Sequence, residues 1–189
     1  MADYLVLERT AEVQQARDKW QWRGQARPEF AHATGHGEES VWDYPRPPVI
    51  APDFRHVLVR VDDTVIAESD DAIRVLETAG PPTVYVAPES VSDEYLMPNG
   101  SHSSCEWKGI TEEFDLVVGD LRIPSVAWCY RETFPEFEAL AGWFSFYPAL
   151  LDCRIDGEIA YPQPGSYYGG WVTREVIGPF KGEPGSESW

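Results

Sequence analysis

His56–Ala67 reads HVLVRVDDTVIA. Apolar, largely β-branched residues alternate with polar ones up to Val61, Asp62-Asp63 makes a two-residue break, and Thr64-Val65-Ile66-Ala67 resumes the same chemistry. A period of two sends one set of side chains into a core and the other to solvent, and two such runs joined by a short acidic turn make a β-hairpin. The pattern repeats downstream. Thr83–Ala87 (TVYVA) follows Pro81-Pro82, Ile110–Val118 and Leu121–Tyr130 flank Gly119-Asp120, and LLDCRI and EIAY flank Asp156-Gly157. Gly142–Tyr147 (GWFSFY) is an aromatic strand, whereas IRVLET suits either a helical turn capped by Asp71 or a strand, because so short an apolar run has no decisive period. Short strands punctuated by Gly, Pro, Asn and Asp, without strand–helix alternation, predict a mainly β, antiparallel single domain.

Outward from that centre the chain carries less regular structure. Thr10 is placed to cap a short helix with Val13, Ala16 and Trp20 near one face and Gly24 as its stop, and Phe134–Leu140 suits a second short helix. From Gly24 to Pro52 the many Gly and Pro predict an extended arm. Residues 1–52 are therefore expected to form an N-terminal arm packed on the body, and residues 53–189 the β domain, including a Gly- and Trp-rich C-terminal tail from Gly165.

Composition narrows the functional classes. With 43% hydrophobic and 25% charged residues the chain has the means for a core. Its formal net charge of −17, without a basic cluster, opposes nucleic acid and anionic membrane surfaces as partners. No apolar run is long enough to span a bilayer, and MADYLVLERT lacks a basic n-region and a long apolar core. Three scattered cysteines, Cys105, Cys129 and Cys153, do not make a disulfide framework. The expectation is a cytoplasmic protein with reduced thiols. The 13% of aromatic residues serve a core first, and a set of rings at strand ends also suits a pocket that stacks on a flat ligand.

Chemistry concentrates in Ser101–Gly109, SHSSCEWKG, just after a Pro98-Asn99-Gly100 turn. If the stretch turns, His102 and Cys105 can meet as base and nucleophile, with Lys108 holding an anion. Trp107, Trp128 and Tyr130 are candidate pocket rings, and Trp42, Tyr44 and Arg46, two apart in ESVWDYPRPP, share a face if that stretch is extended. Phe144 and Phe146 are assigned to the core. A structural zinc site needs four ligands and finds no Cys-x-x-Cys clip here, so no metal site is expected. Glu113 and Asp115, two apart after Gly100-Ser101, loosely fit the carboxylate pair of a metal-dependent nucleotidyltransferase.

Six stretches together, WQWRGQARPEFA, ESVWDYPRPP, VIAESDDAIRVLET, HSSCEWKG, AWCYRETFPE and GGWVTREVIGPFKGEPGSESW, resemble the family named domain of unknown function 427. The resemblance runs from about Trp20 to the end. It implies a β-tent fold, shared with zinc-binding and small-molecule-binding domains whose paired cysteine clips this chain lacks. It also implies a bacterial source and a nucleotidyltransferase-like label. The family's Cys, aromatic, Lys-Gly pattern falls on Cys105, Trp107, Lys108 and Gly109, and its Trp-x-Tyr on Trp128 and Tyr130.

Three readings follow. The first is a small-molecule pocket lined by His102, Cys105, Trp107, Lys108, Trp128 and Tyr130, with Trp42, Tyr44 and Arg46 as a further wall. If it is catalytic, it acts through Cys105. The second is an interaction or dimerisation module using the Pro-rich arm and the tail, which allows a homodimer. The third is a magnesium-dependent nucleotidyltransferase working through Glu113 and Asp115. The sequence names no cofactor.

Overall fold

A computed structural model describes residues 4–165 and 167–189. The described residues are mainly β and antiparallel, with one short α-helix among them, and the strand periodicity predicts that class. Val57–Val61 and Thr64–Ser69 form the expected hairpin, closed by Asp62 in a left-handed conformation at φ 48°. A register shift follows Val59, which opposes Ala67 while Arg60 opposes Val65. The extra residue, Ile66, is a β-bulge, which is why both Ile66 and Ala67 are buried instead of alternating. Asp152–Ile155 pairs on the hairpin's other edge and turns through Asp156-Gly157 into Glu158–Ile159, completing a four-stranded sheet.

The larger sheet is built on the hairpin of Gly109–Val118 and Leu121–Thr133. Beyond Leu121–Thr133 lie, in order, Phe144–Phe146, Thr83–Val86, Ala72–Leu76 and Val49–Asp53. Leu96–Pro98 and Ser104–Cys105 pair along the free side of Gly109–Val118. The ambiguous IRVLET run is thus a strand, because it pairs on both edges, with Val49–Asp53 and with Thr83–Val86. The only parallel strand pairs among the described residues are two-residue contacts, Leu5–Val6 with Glu132–Thr133 and Val176–Ile177 with Glu39–Ser40.

Alternation in this sheet separates a core from a pocket. Ala127 and Cys129 face the main core with Val84, Val86, Phe144 and Phe146, and that core also takes Val57, Val59 and Cys153 from the four-stranded sheet. Trp128, Tyr130 and Tyr85, each one residue out of phase, emerge on the opposite face. Trp171 closes the core, its indole N–H donating to the Phe146 carbonyl at 3.0 Å. Each large side chain so buried contributes roughly 1.5–3 kcal/mol of transfer free energy.

The helix runs Ala11–Asp18, with the Thr10 hydroxyl accepting from the Val13 amide. It ends before Trp20, and its buried residue is Arg17. The helical path therefore stops short of the expected Gly24: the Lys19 amide closes the last turn onto the Ala16 carbonyl at 3.4 Å, and Arg23 Nη2 donates to the freed Arg17 carbonyl at 2.8 Å. Pro135–Leu140 is 3₁₀ helix where a short helix is expected.

Candidate functional site

The outer face of the large sheet floors a cavity of about 670 Å³. Trp128, Tyr130, Tyr85 and Val75 come from the strands, and Cys105 and Lys108 from the SHSSCEWKG stretch. Trp20 and Arg46 from the N-terminal part and Tyr167, Tyr168 and Lys181 from the C-terminal part complete the walls.

Cys105 pairs with Gly109, so Glu106, Trp107 and Lys108 form a tight turn. Gly109 has φ 134°, and a Cβ there would lie 1.9 Å from the Glu132 carbonyl oxygen, so glycine alone lets the turn approach the neighbouring strand. Lys108 is carried inward with its side chain 12% exposed, and its Nζ lies 3.7 Å from Glu77 Oε2. Glu77 Oε1 also accepts from Arg46 Nε at 3.1 Å. Arg46 is fixed further by donating to the carbonyls of Trp22 and Thr78, at 3.1 and 2.8 Å.

The rings are locked to one another. Trp128 Nε1 donates to the Tyr85 hydroxyl at 3.3 Å, and the Trp128 and Tyr147 ring centroids lie 4.5 Å apart. Gly169 leaves room for the indole, since a Cβ there would sit 2.1 Å from Trp128 Cη2. Trp20 donates to Glu106 Oε1 at 2.6 Å, and Arg46 and Lys181 lie over its ring at 4.5 and 3.7 Å.

Electrostatics follow from burial. Burial pushes the Cys105 thiol up, with Lys108 opposing, so at neutral pH the sulfur carries its proton. Burial likewise holds the Tyr85 and Tyr130 hydroxyls protonated. Burial alone would lower Lys108, but the ion pair with the Glu77 carboxylate holds it above its ordinary value, so the ammonium is retained. Lys181 goes the other way, lowered to about 8 by burial and by Arg46. The wall therefore offers protonated donors: an ammonium, two phenols and a thiol.

Of the residues singled out in the sequence, Cys105, Lys108, Arg46, Trp128 and Tyr130 share this cavity. His102 does not join them. Its stretch is extended along Thr111–Glu113, with Thr111 N donating to Ser103 O, so residues three apart are separated by roughly 10 Å and point to opposite faces. His102 is exposed, its Nδ1 sits 2.8 Å from the Thr111 carbonyl oxygen, and it is not among the lining residues. The expected base–nucleophile pair is not assembled.

Trp107 does not line the cavity; it is buried in one cluster with Tyr85, Trp128 and Tyr130, with Arg17 stacked 4.9 Å over its ring. Trp42 and Tyr44 do share one cluster, but it is a separate one with Val41, Ala79 and Val176. There Trp42 meets Phe30 and Trp189 edge-on and donates to the Pro179 carbonyl, so its polar tip is already used.

Glu113 lines the cavity, whereas Asp115 is engaged elsewhere. Asp115 accepts from Asn99 Nδ2 at 2.8 Å, Ser125 N at 3.0 Å and Arg122 Nη2 at 2.7 Å. Both of its oxygens thus pin a break in the hairpin register, where Ser125 has φ 47°. No group of three metal-ligating side chains forms among the described residues.

Sequence reading missed Trp20, Glu77, Tyr85 and Lys181 as site residues. Tyr85 was within reach, because Val84 and Val86 on either side face the core. Lys181 is one of three lysines in the chain, but composition alone does not mark it as a site residue; long-range packing brings it to the cavity. Trp20 and Glu77 carry no local signal; long-range packing brings them in.

No curated protein matches this chain. A family model matches residues 49–158, which hold most of the two larger sheets and the Cys105–Lys108 turn, and the chain belongs to that family, described as Domain of unknown function (DUF427).

Proposed function

We propose that the protein binds a small, flat, polar molecule in the cavity over the outer face of the large sheet. The observation that carries this reading is the convergence of Lys108, Tyr130, Tyr85 and Trp128, from distant parts of the chain, on one cavity of about 670 Å³. A concave site of a few hundred cubic ångströms, with rings and a few fixed donors, is the usual form of a metabolite site. The rings supply stacking area, and the donors stabilise an oxygen of the ligand. If turnover occurs, Lys108 and Tyr130 are suited to stabilise developing negative charge, and Cys105 is a neutral donor before it is a nucleophile. We also place the protein in the cytoplasm, where free thiols stay reduced.

Cys105 provides the test. It lines the cavity, whereas Cys129 and Cys153 are fully buried. Iodoacetamide labelling of the native protein, with and without the small-molecule fraction of a cell extract, reports occupancy. The reading expects the extract to slow labelling about threefold or more, since occupancy removes the open fraction. Unchanged labelling across extracts would count against it.

A further inference from the structure

The cavity has charge of both signs, arranged at different places along its floor. Lys108 shares the Glu77 carboxylate with Arg46, and Lys181 stands near Arg46, Glu77 and Glu106, so three cations face two anions at that end. Tyr130 and Tyr85 stand beside them as protonated donors. On the strand Gly109–Val118 that follows Lys108, Glu113 lines the cavity and has no side-chain hydrogen bond or ion pair among the described residues. Gly109 and Glu113 are four residues apart, roughly 13 Å along a strand. The rings line this span: Tyr130 lies midway, opposite Thr111, and Trp128 lies level with Glu113, opposite it across the hairpin.

We propose that this cavity selects a zwitterion with separated charges: a flat molecule whose carboxylate meets Lys108 and Tyr130 while its ammonium meets Glu113. The inference rests on the pocket reading above. A ligand with one charge leaves either the surplus cation or Glu113 desolvated and unpaired, which is costly in a low-dielectric site. A zwitterion satisfies both. It also escapes the long-range field of a chain with net charge −17, which repels a simple anion before it reaches Lys108. Discrimination thus comes as much from the charge a wrong ligand leaves unpaired as from the contacts a right one makes.

Calorimetric titration of the full chain with four probes tests this. The probes are 4-(aminomethyl)benzoate, 4-methylbenzoate, 4-methylbenzylamine and neutral 4-methylbenzamide. The zwitterion is expected to bind about tenfold tighter than each of the others, a difference of one hydrogen-bonded charge. Lys108→Met should remove that advantage over 4-methylbenzylamine, and Glu113→Gln should remove it over 4-methylbenzoate. Glu113 has no side-chain partner among the described residues, so Glu113→Gln is expected to fold even if Lys108→Met does not. Equal affinity for the zwitterion and for either singly charged or neutral probe overturns the inference and leaves the pocket standing. Absence of binding by all four overturns both.

Discussion

Lys108 Nζ and Glu77 Oε2 lie 3.7 Å apart at the inner wall of the cavity, a long ion pair that holds an ammonium where burial would otherwise discharge it. The separation is wider than a tight charge-assisted hydrogen bond of about 2.8 Å. It leaves donor capacity on Lys108 for an incoming oxygen. Because Glu77 also accepts from Arg46, one carboxylate organises both cations.

Replacing that carboxylate should therefore weaken the protein as well as the site. Glu77→Gln leaves two buried cations without a counter-charge and is expected to cost about 1–3 kcal/mol. A lowered urea midpoint with an unchanged slope is the expected observation. An unchanged midpoint would mean that Lys108 and Arg46 are solvated well enough to need no partner.

Gly169 sets the position of Trp128. Gly169→Ala places a methyl group where the indole edge now lies, so Trp128 must shift and its bond to Tyr85 should break. Tryptophan emission should change, and the stability loss should be about 1–3 kcal/mol, as for an overpacked contact. Unchanged emission would show that the tail yields instead of the ring.

The thiols give a reactivity prediction. In the native protein Cys105 should label with iodoacetamide, while fully buried Cys129 and Cys153 should not. Its thiol is raised by burial, so the labelling rate should still be climbing above pH 9.0, the ordinary value. A rate that levels off near neutrality would instead reveal a stabilised thiolate.

Much of this architecture is legible in local sequence. The hairpin at Asp62-Asp63 and the one at Asp156-Gly157 follow from alternation and turn chemistry, and Trp128 and Tyr130 share a face because they are two apart. The failures have one cause, reading a conformation into a short stretch from its composition. His102 and Cys105 were expected to meet in a turn, but strand pairing stretches that segment. Trp42 and Tyr44 do fall together, yet an aromatic face does not say what covers it, and here Phe30 and Trp189 do. Tyr85 shows the converse, a site residue that strict alternation in TVYVA already exposes.

Asp115 makes stability depend on acid. Hydrogen bonds from Asn99 and Arg122, and from the Ser125 amide, lower its carboxyl to about 2, below the unfolded value of about 3.9. Its stabilisation is present above the unfolded value and is lost as pH falls through about 2. The gap in urea midpoint between wild type and Asp115→Asn should thus be open at pH 7 and shrink between pH 4 and 2. A gap independent of pH would show that packing around the register break, not charge, is what Asp115 supplies.

Occupancy of the cavity is measured most directly by native mass spectrometry after incubating the protein with the small-molecule fraction of a cell extract. Wild type and the double variant Lys108→Met, Glu113→Gln would be compared side by side. We predict one small-molecule adduct per chain on wild type, absent from a variant that remains folded. Bare protein in both samples, or an adduct equally retained by the variant, would contradict the claim that this cavity is a ligand site built on Lys108 and Glu113.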